Sequence, residues 1–300
     1  MTIAQSYDFV NFCFNKEQRG TFPPAKFNLV APIAQLEVTS KLLGNEQALN
    51  ERGLPPYGYK SNRKIDTLLR PLVVGPTLIT PDTFAITAIT KANPGVVTFS
   101  GIGDLSNGDL VYITGVLGMT QVNGGTYMLA NISGNTAQLK TTDVVNVNTT
   151  SYSTYVSGGT AYNGSWSYPT DMIWPDAIHK IDYTKITAVD SDEYPGLKKS
   201  HLHPPSSDYP LCVFREPKGY IDPINIPAFR LSYLATPPDP YWAYTTVNDE
   251  PVYSGSGSVD FAIHPLGHQR ICQVILQMVG INLDSAQLLQ YSLAKEAQGT

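Results

Sequence analysis

His264 and His268 stand four residues apart. On a helix they would share a face, and two imidazoles so placed can begin a transition-metal site. No third ligand of recognisable spacing accompanies them, so cap or interface roles are expected, with no metal and no cofactor. His201 and His203 share a side of an extended segment and meet the same objection. Asp171, Asp176, Asp182, Asp190, Asp192 and Glu193 could supply an acid/base pair for hydrolysis. General acid–base chemistry needs a positioned group with a suitable pKa, often in a pocket. Spacing supplies neither, so a solvated loop face is expected. Cys13 and Cys272 adjoin apolar helical residues and read as buried, inert thiols. There is no GxSxG elbow, phosphate loop or dinucleotide fingerprint. No catalytic residue is assigned, and the chain is expected not to be an enzyme.

Arg63, Lys64 and Arg70 form a small basic cluster with Tyr57 and Tyr59 beside it. Arginine and aromatics together can stack on single-stranded nucleic acid. The cluster is small and the chain carries a formal charge of -5, so a subunit contact is the expected role. Tyr241, Trp242 and Tyr244 lie on a proline-rich arm, 237–244, and are expected at a subunit interface, where tyrosine and tryptophan are enriched.

These residues need elements to position them. Three hundred residues suggest two domains. Charged residues are sparse at 15%, while Gly (24), Pro (23) and Tyr (18) are plentiful, which suits a loop-rich, β-rich protein. Cys13, Cys212 and Cys272 are odd in number and far apart, as in a reduced intracellular protein. The N-terminus lacks the pattern of a signal peptide, and no apolar run is long enough for a spanning helix, so no membrane partner is expected.

The fold expected is α+β: a helical host domain with a small β-sheet, split by an inserted all-β, barrel-like module. The boundaries are 1–83 for the host's N-terminal helices and linker, 84–162 for the module, and 163–300 for host strands, aromatic arm and a C-terminal helical hairpin. In the module, apolar and polar residues alternate, as at Val111 and Ile113 or Tyr127 and Leu129. Asn93-Pro94, Asn107-Gly108, Asn123-Gly124 and Gly158-Gly159 punctuate it as turns. The host opens with helices over 3–17 and 24–43, the second interrupted by Pro32 and terminated at Gly44, and a short helix over 62–69. Residues 178–189 read as a strand or strand pair, 190–207 as an exposed loop, and 211–214, 219–226 and 228–234 as strands, with an acidic-basic turn after the first. Ile271, Val274, Ile275 and Met278 occupy i, i+3, i+4 and i+7, a buried helical stripe expected to pack on the N-terminal helices. Gly280 is its expected cap, and a last helix follows Asp284 or Ser285.

Three segments resemble virion proteins of tailed bacteriophages. The N-terminal YDFVNFCFNKEQRGTFPPAKFNLV resembles the opening helices of ring or adaptor-like proteins of crAss-like and related short-tailed phages, at Lys16, Glu17, Gln18, Gly20, Pro24, Phe27 and Asn28. LSYLATPPDPYWAY resembles their double-proline, tryptophan segment at Tyr233, Leu234, Pro237, Pro240 and Trp242. The segment from Gln273 to Gln298 has the same look. The module, at Asn107, Gly108, Asp109, Met119, Asn123, Gly124, Tyr127 and Asn135, resembles a small β-barrel common in phage tail proteins and related to a domain of ubiquitin-activating enzymes. That relation implies a barrel fold and no enzyme activity. The phage resemblance implies a structural subunit of the head-to-tail connector, neck or tail ring, located in the virion. It implies a homo-oligomeric, dodecameric ring contacting portal and neck proteins, through which double-stranded DNA passes without sequence-specific binding. Two other readings stand beside it: a carbohydrate- or receptor-binding module with a site in the β-module or beside Trp166 and Trp174, and a cell-envelope hydrolase working through paired acids.

Overall fold

The computed structural model describes residues 1–16, 20–50, 63–202, 204–215 and 217–280. Tyr57, Tyr59, Glu17, Gln18, His203, the linker over 51–60 and the helix expected after Asp284 lie outside the described residues. The chain divides into two compact units, Met1–Val74 with Leu234–Thr300, and Gly75–Tyr233. The fold is α+β, with helices flanking an inserted closed barrel of six strands.

The barrel is made of β2 (Thr83–Ile89), β3 (Val96–Phe99), β4 (Leu110–Leu117), β5 (Gly125–Ser133), β6 (Thr136–Lys140) and β7 (Ser157–Tyr162), closed in the order β2-β3-β6-β5-β4-β7. Closure pairs Thr83 with Tyr162 and Ile113 with Ala161, so no strand is left with a free edge. Alternation fills the interior with Phe84, Ile86, Val111, Ile113, Val116, Leu129, Ala137 and Leu139, all buried. A register shift between Ile86 and Ala88 turns the phase of β2 by one residue, which brings Ile89 inward as well.

The same unit contains β8 (Ser165–Ser167), β9 (Met172–Lys180), β10 (Thr187–Val189), β11 (Leu211–Arg215) and β12 (Lys218–Asp222). Four of these form a sheet in the order β10-β11-β12-β8, while β9 belongs to a three-stranded sheet, β1-β13-β9, with β1 (Val73–Ile79) and β13 (Phe229–Ala235). Strand β12 ends at Asp222, ahead of Pro223, which has no N–H for a ladder. It stops short of the expected end at Ile226. The segment 190–207 is not wholly an exposed loop. It carries a short helix, α4 (Tyr194–Lys198), whose Tyr194 is buried.

The other unit holds α1 (Ile3–Lys16), α2 (Pro24–Asn50), α3 (Arg63–Leu69) and α5 (His268–Met278). Helix α2 does not end at Gly44 but continues to Asn50, and it accommodates Pro32 within its length. Its buried residues Phe27, Ala31, Ala34, Val38 and Leu42 keep one stripe against the core on both sides of that proline. Ile271, Val274 and Ile275 of α5 join Ile3, Tyr7 and Val10 of α1 and this stripe in one core, while Met278 is exposed. The arm is fastened to α2 by two side chains. The Trp242 amide donates to Asn28 Oδ1 at 2.8 Å, and Asn28 Nδ2 donates to the Trp242 carbonyl at 3.0 Å. Gln35 Nε2 donates to the Pro238 carbonyl and Gln35 Oε1 accepts from the Ala262 amide, each at 2.8 Å. Beyond the arm, β14 (Tyr244–Val247) and β15 (Glu250–Tyr253) form an exposed hairpin.

Candidate functional site

Within the unit 75–233 a cleft of about 500 Å³ opens between the barrel and the four-stranded sheet. That volume is ordinary for a small-molecule site. The barrel contributes Asp104, Gly108, Asp109 and Leu110. The sheet and α4 contribute Tyr194, Lys198, Arg215, Lys218 and Tyr220, and Asn163 and Ser165 lie on the segment joining the two.

The barrel wall is a turn held to β5. The Ser106 amide donates to Asp109 Oδ2 at 2.8 Å, the Leu129 amide to the Asp109 carbonyl at 2.8 Å, and the Ile132 amide to Asn107 Oδ1 at 2.9 Å. Gly108 has φ +97, a conformation that favours glycine and lets the chain reverse there.

Lys218 ties this wall to the sheet. Its Nζ donates to Asp82 Oδ2 and to Asp104 Oδ2, each at 2.7 Å. The ammonium holds the Asp104 carboxyl below its ordinary range, and Asp104 followed by Asp82 raise the Lys218 pKa. Both therefore stay charged near neutral pH. Ser165 completes the junction. Its hydroxyl donates to Asp82 Oδ2 at 2.8 Å, and its carbonyl accepts from the Asp82 amide at 2.7 Å.

The opposite wall is built on Tyr194. One helical turn brings Lys198 beside it, so Lys198 Nζ donates to the Tyr194 hydroxyl at 3.0 Å and meets Asp222 Oδ2 at 3.1 Å. Tyr194 Oη donates to the same Asp222 oxygen at 2.6 Å. Lys198 Nζ and the Arg215 guanidinium lie 5.4 and 5.6 Å from the Tyr194 ring centre. Burial, then the Asp222 carboxylate, raises the Tyr194 pKa, and burial raises that of Tyr220. Both phenols remain protonated. The cleft thus presents fixed donors and acceptors side by side, with a tyrosine ring as backing.

Sequence reasoning did not find this site. Its only traces were Asn107, Gly108 and Asp109 in the module, and the acidic-basic turn that carries Arg215 and Lys218. The residues singled out for chemistry fall elsewhere. His264 Nδ1 accepts from the Leu266 amide as a cap, while the ring nitrogens of His268 face the carbonyls of Met1 and Ile263. Asp171, Asp176, Asp182, Asp190, Asp192 and Glu193 do not line the cleft. All three cysteines are buried. Burial pushes the Cys212 thiol up to about 12 and the Cys272 thiol up to about 11, so neither is a thiolate near neutral pH. Trp166 is fully buried against Tyr168, Phe214 and Phe229, which removes it as a sugar platform. Trp174 is partly exposed on β9 and away from the cleft lining. On the arm, Tyr241 and Tyr244 are exposed, but Trp242 is buried within its own chain, which corrects its placement on an exposed interface.

The model of a protein family described as the ubiquitin-activating enzyme E1 FCCH domain matches residues 92–163. The match lies in the barrel, beginning after β2, and is the relation expected for the inserted module. It covers less than half of the chain and therefore describes a domain. A search of curated proteins finds no match to the chain. The family match overturns the reading of the chain as a phage connector, adaptor or ring protein, because the matched domain is described by an activating enzyme and not by a virion structure. It equally overturns the expectation that the chain has no enzymatic role.

Proposed function

We propose that this chain is the substrate-recognising part of an enzyme acting on carbohydrate, with the saccharide held in the cleft between barrel and sheet. The observation that carries this reading is Lys218, bonded at once to Asp82 and Asp104, which sets carboxylate acceptors and ammonium donors at fixed positions along one opening. A sugar presents adjacent hydroxyls that each donate and accept. A cleft lined by Asp104, Asp109, Asn163, Lys198 and Arg215 offers both kinds of partner in the same place. Polar groups already paired with one another fix this geometry before a ligand arrives, which lowers the ordering cost of binding. The barrel's likeness to a domain of an activating enzyme supports an enzymatic setting.

Asp104 and Asp109 are the carboxylates lining the cleft among the described residues, and two carboxylates are what glycosidic hydrolysis uses. Asp104, kept ionised by Lys218, suits the nucleophile or base side of that pair. The test is a glycan array with the full chain, followed by reducing-end release from any bound polymer, using the wild type and Asp104→Asn and Asp109→Asn. Saccharide binding by the wild type, with turnover lost in either variant, is the expected result. An array without a single bound glycan overturns the reading.

A further inference from the structure

The charges of the cleft are unevenly neutralised. On the barrel side, Lys218 faces two carboxylates, Asp82 and Asp104, and Asp109 adds a third. Around Tyr194, Lys198 and Arg215 share one ring, and the Asp222 carboxylate is taken by Lys198 and the Tyr194 hydroxyl. Among the described residues no carboxylate pairs with Arg215. Arg215, which stands across the β11–β12 ladder from Lys218, is therefore a cation of the cleft lining that no described carboxylate neutralises.

From this unneutralised guanidinium we infer that the ligand of the cleft is an acidic saccharide, with its carboxylate seated on Arg215 and its hydroxyls turned toward Asp104 and Asp109. The inference rests on the reading of the cleft as a saccharide site. A guanidinium presents two parallel N–H donors that match a planar carboxylate, a fit that an ammonium cannot reproduce. The contact with the Tyr194 ring restrains this guanidinium, and the ring's own hydroxyl is already bonded to Asp222, so the phenol does not compete for the ligand's charge. A neutral sugar would leave Arg215 without an anion, whereas a carboxylate placed against the barrel wall would meet Asp104 and Asp109.

The experiment is calorimetric titration of the full chain with oligogalacturonate, with the same oligosaccharide after reduction of its carboxyl groups to alcohols, and with a sulfated oligosaccharide of equal length. Wild type should bind the carboxylate form at least about tenfold more tightly than the reduced form, as expected for hydrogen bonds to a charged group. Arg215→Gln should remove that preference, so that the carboxylate and reduced forms bind alike. Arg215→Lys, which keeps the charge and loses the fork, should retain part of it. It should also discriminate less between carboxylate and sulfate. Thermal melting of each variant separates a binding defect from a folding one. Equal wild-type affinity for acidic and reduced forms overturns the acidic class and leaves the saccharide cleft standing. A preference that survives in Arg215→Gln overturns the assignment to Arg215. Binding of none of the three, in a protein that also fails on the glycan array, overturns the cleft reading and this inference with it.

Discussion

Trp242 lies against Tyr7, the ring centroids 4.3 Å apart and the planes 28° from parallel. The contact joins a proline-bound arm to the first helix and places the indole in the core that α1, α2 and α5 share. Trp242 Nε1 is buried there without a hydrogen-bond partner among the described residues. Removing the indole should cost about 3–5 kcal/mol, the usual range for a buried aromatic truncated to alanine. Trp242→Phe should cost clearly less, because it keeps the stacked ring and discards an unsatisfied donor worth about 1–3 kcal/mol of desolvation. Urea denaturation followed by far-ultraviolet circular dichroism reads this core, since its helices dominate the signal. An alanine variant as stable as wild type would show that the stack contributes nothing.

The stripe on α5 offers an internal comparison. Ile275 is fully buried, and Met278, three residues on, is exposed. Ile275→Ala should lower stability by roughly 2–5 kcal/mol. Met278→Ala should stay within about 0.5 kcal/mol of wild type, as surface changes do. Similar losses at both positions would mean that α5 is buried on more sides than its contacts indicate.

Lys218→Met should loosen the cleft through charge. Its two pairs are partly exposed, and such pairs contribute about 0.2–1 kcal/mol each, so the expected loss is about 1 kcal/mol. The pH dependence follows from the two shifts. The Lys218 pKa is raised, so its contribution is complete below the ordinary lysine value of about 10.4 and is lost as pH rises through the raised value. The Asp104 pKa is lowered, so its contribution is complete above the ordinary aspartate value of about 3.9 and is lost as pH falls through the lowered one. The stability gap between wild type and Lys218→Met should be flat through the neutral range and should shrink at both extremes. Thermal melts across pH test this, and a gap that varies around neutrality would point to another group.

Within the barrel, Gly118 has φ +86, and a Cβ there would sit 2.2 Å from the Thr154 carbonyl oxygen. Gly134 has φ +55 with nothing within 4 Å of the same atom. Alanine at either position carries the left-handed backbone cost of roughly 1–2 kcal/mol. Gly118→Ala must also displace backbone, so it should destabilise the barrel well beyond Gly134→Ala. Equal melting temperatures for the two variants would contradict the close approach.

The elements that repeat locally were legible in the amino-acid order. The spacing of Ile271, Val274 and Ile275 marked α5, and the alternation through Val111 and Ile113 marked β4, because a helix and a strand impose their periods on neighbouring residues. Asn93-Pro94, Asn107-Gly108 and Asn123-Gly124 marked the approaches to β3, β4 and β5, whereas Gly158-Gly159, read as a turn, lies within β7. Asn248 and Asp249, which turn β14 into β15 with φ of +52 and +63, were not recognised as a hairpin signal, although their residue types permit it.

The cleft belonged to no local pattern. Lys218 meets Asp82 across 136 residues and Asp104 across 114, and Tyr194 meets Asp222 across 28. Trp242 reads in sequence as an exposed anchor on a proline arm, and only Asn28 and Tyr7, brought up by two helices, make it a core residue. The sequence by itself determined the strongly periodic elements, α1, α5 and most of the barrel strands, since propensity and periodicity act over a few residues. Tertiary structure alone decided which side chains face one another, since that depends on how the barrel closes and how the sheet beside it orders its strands.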